Sequence, residues 1–151
     1  MTAPRLFHGG VPGLRPGDLI EPGHTRKTHD GCAWCAARAV LPPTLDGNAG
    51  HADQVYLTPH RMYARYYASL YGRGDLYQVE PVGDLVRSTE DTVETWRAPA
   101  ARVLVAVDRA VLLTMPERRR LDRQWADADR TAAAAHRAHQ NHHQSLEGAT
   151  T

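Results

Sequence analysis

Hydrophobic and polar positions change period twice between residues 54 and 81, QVYLTPHRMYARYYASLYGRGDLYQVEP. Gln54 to Thr58 carries the β-branched and aromatic residues of a strand. Met62, Tyr63, Tyr66, Tyr67 and Leu70 then recur at helical spacing, while Arg61 and Arg65 lie four apart on another face. Thr58 offers a hydroxyl N-cap, Pro59 a first helical position that needs no N–H, and Gly72 a left-handed C-cap. Leu76 to Glu80 resumes a strand, which Pro81 is expected to close. The stretch therefore reads as strand, tyrosine-loaded helix, tight turn and strand, with the aromatics as core.

The flanking pattern completes an α+β chain. Leu6, Phe7 and His8 form a short apolar run ending in Gly9-Gly10, and residues 11–23, with three prolines and three glycines, make a turn-rich path holding one short strand. A short helix over Ala33–Val40 and an exposed loop through Pro42, Pro43, Asp46-Gly47 and Gly50 are expected next. An irregular, acidic segment after Pro81 leads to a β-prone run from Arg102 to Val107. Thr114-x-x-Glu117 is a capping box that opens a long helix from residue 116 to about 143. Its seam runs Leu121, Trp125, Ala128, Ala132, Ala135 and His139; the bulky half can dock on the domain, and the alanine half either supports close helix pairing, a route to self-association, or stays exposed. Residues 1–113 are thus expected to form one domain, 114–144 a C-terminal helix and 145–151 a disordered tail.

Composition narrows the function classes. A chain of 151 residues with 42% hydrophobic and 23% charged residues is expected to bury a real core. Its net charge of +1 gives no strong nucleic-acid signal. No apolar run approaches the roughly 20 residues that span a bilayer, and no signal-peptide h-region opens the chain, so a cytoplasmic protein without a membrane partner is expected.

Three groups of residues carry candidate chemistry. His8 stands at a strand end beside glycines, where backbone can approach a ligand; a core histidine bonded to backbone is the alternative. Cys32-x-x-Cys35 can bite a zinc ion from one side with His24 and His29 completing a tetrahedral site, or the two cysteines are reduced thiols at a helix start. Asp84, Glu90, Asp91 and Glu94 gather between two strands, as a site or as surface acidity. His136, His139, His142 and His143 are read as solvated, although they include an i, i+4 pair that could hold a metal.

Phe7-His8-Gly9-Gly10, Val55-Tyr56-Leu57-Thr58, and Gly72-Arg73-Gly74 running into Tyr77-Gln78-Val79-Glu80-Pro81 resemble, in order, the rifamycin ADP-ribosyltransferases. Leu14 to Leu19 and Trp96-Arg97-Ala98-Pro99 add to the likeness, which covers residues 6–107. The resemblance implies two short packed β-sheets with flanking helices, here with a long C-terminal helix added. It also implies NAD as substrate, with nicotinamide released and ADP-ribose passed to an acceptor. By that likeness His8 meets a ribose hydroxyl, Gly9 backbone reads the carboxamide, Tyr56 stacks on the nicotinamide and Tyr66 covers its other face. Thr58 reaches back toward His8, and Arg26 with Lys27 lies nearest for the pyrophosphate. The family's acid, counted from Val79-Glu80-Pro81, lands on Ser88, with Glu90 and Asp91 two and three residues later; Asp91 is the choice, with Glu90 behind it. The loop at 22–54 is longer than in those enzymes, which leaves the acceptor open among small molecule, protein and nucleic acid. An RNA 2′-phosphotransferase and a zinc-stabilised binding module on a degenerate version of the fold are the competing readings.

Overall fold

A computed structural model describes residues 3–22, 54–70 and 73–147. The expected strand, helix, strand order appears as β3 (Val55–Leu57), α1 (Arg61–Ser69) and β4 (Asp75–Val82). Before it lie β1 (Leu6–Gly10) and β2 (Leu19–Ile20); after it come β5 (Val86–Arg87), β6 (Trp96–Ala98), β7 (Ala100–Asp108) and the long helix α2 (Met115–Glu147). The strands form two antiparallel sheets, a four-stranded one in the order β1-β4-β7-β2 and a three-stranded one in the order β3-β6-β5. The chain is α+β, as its pattern predicts. No described helix is long and apolar enough to cross a membrane.

Alternation along the strands sorts side chains into separate packing layers. Leu6, Ile20, Tyr77, Val79, Ala101 and Val103 of the larger sheet pack against Val55, Leu57 and Ala98 of the smaller. On the opposite face Phe7 and Leu76 meet Ala64 and Ala68 of α1. A third cluster, Tyr63, Val93 and Leu121 with Met62, Tyr66 and Trp125, fastens the first half of α2 to α1. Small residues set the spacing of the second layer: a Cβ on Gly9 would land on the backbone of Ala64 and Ala68, so α1 rests directly on β1 only because that side chain is missing.

Local expectations fail where a tertiary bond takes the group involved. Thr58 does not cap α1. Its backbone exchanges hydrogen bonds with Phe7 (2.8 and 3.0 Å), and its hydroxyl donates to the Glu94 carbonyl (2.7 Å) while accepting from the His60 N–H (3.1 Å). The helix therefore starts at Arg61, with His60 in extended conformation as its N-cap. Pro81 does not end β4, which continues to Val82. β1 pairs with β4 only as far as Val79, so beyond that point β4 has a neighbour on one side and tolerates a residue without an N–H. The tail expected from Ser145 is helical to Glu147, and Ser145 bonds back to the Asn141 carbonyl (2.9 Å). The capping box forms as predicted, with Thr114 N–H donating to Glu117 (2.7 Å) and Glu117 N–H to the Thr114 hydroxyl (3.3 Å).

A half-buried arginine and a buried aspartate tie these layers together. Arg65 on α1 reaches Asp108 at the end of β7 and Glu117 in the first turn of α2 (3.0 Å). Asp75, 2% exposed at the start of β4, accepts from Gly13 N–H (2.8 Å), Ala110 N–H (2.9 Å) and the Arg109 guanidinium. Burial alone would raise the Asp75 carboxyl, but the Gly13, Arg109 and Ala110 donors outweigh it and hold the group below its ordinary value of 3.8. The neighbouring Tyr77 phenol, pushed up to about 12 by burial, donates to the Val11 carbonyl (2.6 Å) and accepts from Leu14 N–H (3.1 Å).

Two stability measurements check this account. Asp75→Asn should cost about 2–3 kcal/mol in urea unfolding at pH 7, because charge-assisted bonds from three donors are lost. A carboxyl depressed by folding adds stability above its unfolded value and loses it as pH falls through the folded one. The gap between wild type and variant should therefore hold above pH 5 and narrow below about pH 4. Gly9→Ala should cost about 1–3 kcal/mol by forcing α1 away from β1.

Candidate active site

Among the described residues one backbone bridge, Phe7 to Thr58, joins the two packed sheets, and the candidate site lies just past that bridge. His8 shares the inward face of β1 with Leu6. Its Nδ1 lies 2.9 Å from the Tyr56 carbonyl, which only accepts, so Nδ1 carries the proton and Nε2 presents a lone pair. Burial lowers the His8 pKa, and the weaker opposing effect of the Tyr56 carbonyl leaves it lowered, so the imidazole is neutral at pH 7. The ring folds back over the strand end: a Cβ on Gly10 would stand 2.6 Å from Nε2. Phe7 turns its N–H and C=O to the Thr58 edge; by ladder alternation Gly9 turns its own to the same edge, opposite Tyr56, whose carbonyl is taken by His8.

Tyr56 connects this strand end to a carboxylate. Val55 and Leu57 face the core, so the Tyr56 side chain leaves the opposite face of β3, where its hydroxyl donates to Glu90 Oε2 (2.7 Å). Ser88 Oγ also approaches Glu90, at 3.4 Å from both its carboxylate and its N–H. One residue thus sets the tautomer of His8 with its backbone and the direction of Glu90 with its side chain. The cross-strand neighbour of Tyr56 is Arg97, whose Nε is buried without a hydrogen-bond partner among the described residues.

Asp91 is held by different groups, although it is adjacent to Glu90. It accepts from the Tyr63 hydroxyl, and the Tyr63 oxygen in turn lies 3.1 Å from the Tyr67 hydroxyl. The single Tyr63 proton goes to Asp91, so Tyr67 donates to Tyr63. Burial, with Asp91 as the next cause, drives the Tyr63 phenol far above its ordinary value, and burial also raises Tyr67. Both phenols stay protonated donors. Tyr67 remains 40% exposed.

The segment bearing both carboxylates is clamped along its length. Ser88 N–H bonds the Thr95 carbonyl (2.9 Å), Thr58 bonds the Glu94 carbonyl, and Trp96 Nε1 bonds the Glu94 carboxylate (2.9 Å). Val93 sits between Tyr63 and Leu121, and Thr92 donates to Asp129 of α2 (2.7 Å). The long helix therefore braces the acidic segment from outside.

Of the residues singled out from sequence, His8, Gly9, Tyr56 and Glu90 are brought together. Thr58 is not; its hydroxyl is committed to Glu94 and His60. Tyr66 makes edge contacts with Trp125 (5.1 Å) and Tyr67 (5.3 Å), so it belongs to the α1–α2 seam rather than lying over Tyr56. Tyr63 and Tyr67 were the tyrosines missed, and their i, i+4 spacing was the available signal. His24, Arg26, Lys27, His29, Cys32 and Cys35 lie outside the described residues, as do the helix expected over Ala33–Val40 and the C-cap Gly72. Among the described residues no group of three or more His, Cys, Asp or Glu side chains is arranged to hold a metal ion. No protein-family model matches the chain, and no curated protein matches it in sequence.

Proposed function

We propose that the chain is an NAD-dependent mono-ADP-ribosyltransferase whose site is built on His8, Tyr56 and Glu90. The observation that carries this reading is the Tyr56 linkage, which joins a neutral imidazole to a carboxylate at the mouth between two sheets. In the reaction the bond from ribose C1′ to the nicotinamide nitrogen breaks, its electron pair leaving with nicotinamide. An acceptor O–H or N–H group then bonds C1′ and gives up its proton. The transition state is oxocarbenium-like, so it gains from fixed negative charge and from a firmly held ribose.

Each residue has a role in that step. His8 Nε2 accepts a ribose hydroxyl, since Nδ1–H is committed to the Tyr56 carbonyl. Gly9 N–H and C=O, on the edge of β1 that faces Tyr56, suit the carboxamide of nicotinamide, as the family resemblance implies. The Tyr56 ring offers one aromatic face, and Tyr67, exposed and on the helix beside the acidic segment, replaces Tyr66 as the second. Glu90 takes the carboxylate role in preference to Asp91, because Glu90 is bonded to Tyr56 whereas Asp91 is bonded into the Tyr63–Tyr67 pair. Arg97, cross-strand from Tyr56, is a cation within the same sheet for a phosphate-bearing substrate. The acceptor stays unassigned.

Nicotinamide release from NAD, followed by chromatography, tests the assignment. His8→Ala and Glu90→Gln should each lower the rate about 100-fold or more while leaving the melting temperature nearly unchanged. Asp91→Asn should instead lower the melting temperature and keep most of the activity. A larger activity loss in Asp91→Asn than in Glu90→Gln would transfer the role to Asp91.

A further inference from the structure

Beyond its contact with Thr92, α2 leaves the domain. Every residue from 129 to 145 is exposed, a rod of roughly 25 Å at the α-helical rise. That half gains nothing from tertiary burial and depends on helix propensity alone. Ala132 to Ala135 supply it well, but His136, His139, Asn141, His142 and His143 follow, and each is a weaker helix former than alanine. The helix is least supported where its histidines are densest.

Within that cluster the rings are not equivalent. His136 Nε2 lies 3.0 Å from the Gln140 amide nitrogen, so its lone pair is used inside the helix. His139 and His143, one turn apart, hold their rings edge to face with centroids 4.7 Å apart. Both are exposed, so neither needs to be desolvated before it can ligate. We propose that His139 and His143 form a two-imidazole chelate for a divalent transition-metal ion of the nickel, copper and zinc class. Imidazole nitrogen is the ligand type these ions prefer over magnesium or calcium, and i, i+4 spacing places two such nitrogens on one helix face. Water fills the remaining positions, consistent with there being no third ligating side chain among the described residues.

The chelate spans one turn and forms only when that turn is helical, so the ion stabilises the exposed half of α2 against fraying. The site is independent of the reaction proposed above. It uses no residue of that site and stands or falls separately.

Hydrogen exchange read by mass spectrometry on the full chain, with and without nickel(II) chloride, gives the test. At nickel tenfold above the dissociation constant, amides of residues 136–147 should exchange up to about tenfold more slowly, reversed by EDTA. His139→Ala and His143→Ala should each remove the nickel effect, whereas His142→Ala should retain it. Alanine does not weaken the helix, so each variant is compared with itself, metal against no metal. The H139A/H143A double variant keeps Cys32 and Cys35, so it separates this chelate from any metal bound elsewhere. No slowing in the wild type, or equal slowing in the H139A/H143A double variant, overturns the proposal.

Discussion

The pair of hydrogen bonds between Phe7 and Thr58 is the constraint on which the candidate site depends, because it is where β1 of one sheet is laced to the chain leaving β3 of the other. On the side of this bridge that leads to His8 and Gly9 the ladder stops, because the Tyr56 carbonyl that would meet Gly9 is taken by the His8 ring. The groups that emerge at the split are the next ones along each strand. His8 follows Phe7, Tyr56 lies two residues before Thr58, and the bond from His8 to the Tyr56 carbonyl closes the gap (2.9 Å). A bridge that continued for two more residues would pair Gly9 and remove the opening.

Everything outside the bridge serves to hold a third chain segment against it. Residues 88–95 connect two strands of the smaller sheet, yet they are fastened to β3, α1 and α2 by Thr58, Tyr63 and Asp129 respectively. Glu90 and Asp91 occupy neighbouring positions and so face different surroundings, one toward the strand and one toward the helix. Docking of α2 through Leu121 and Trp125, reinforced by Arg65 and Glu117, is therefore part of how the acidic segment keeps its place. The second half of α2 makes no such contribution and is free for a separate role.

What was legible in the sequence follows from the range of the forces involved. The period of Met62, Tyr63, Tyr66 and Leu70, the Thr114–Glu117 capping box and the β-branched run before Asp108 are short-range features, and each appears in the fold. Local rules misplaced the start of α1 because Thr58 has a distant partner in Glu94, and they misplaced the end of β4 because tolerance of Pro81 depends on which neighbours flank it. Asp75 drew no notice, since Gly13, Arg109 and Ala110 are far from it along the chain. At the candidate site, His8 was singled out beside Gly9-Gly10 and Tyr56 through the family resemblance, although each lies in the middle of its strand. The division of labour between Glu90 and Asp91, and between Tyr66 and Tyr67, was not legible. Adjacent residues share a sequence neighbourhood and differ only in direction, which tertiary packing decides.

The central claim is that the bond from Tyr56 to Glu90 directs a carboxylate at a bound NAD. Tyr56→Phe removes that hydroxyl alone, retaining the aromatic ring and the carbonyl that holds His8. The decisive measurement is the rate of nicotinamide release from NAD by wild type and Tyr56→Phe at matched, saturating NAD. The account predicts release by the wild type and a loss of about tenfold or more in the variant, with NAD binding little changed. No release by the wild type, or equal rates in the two proteins, would contradict it.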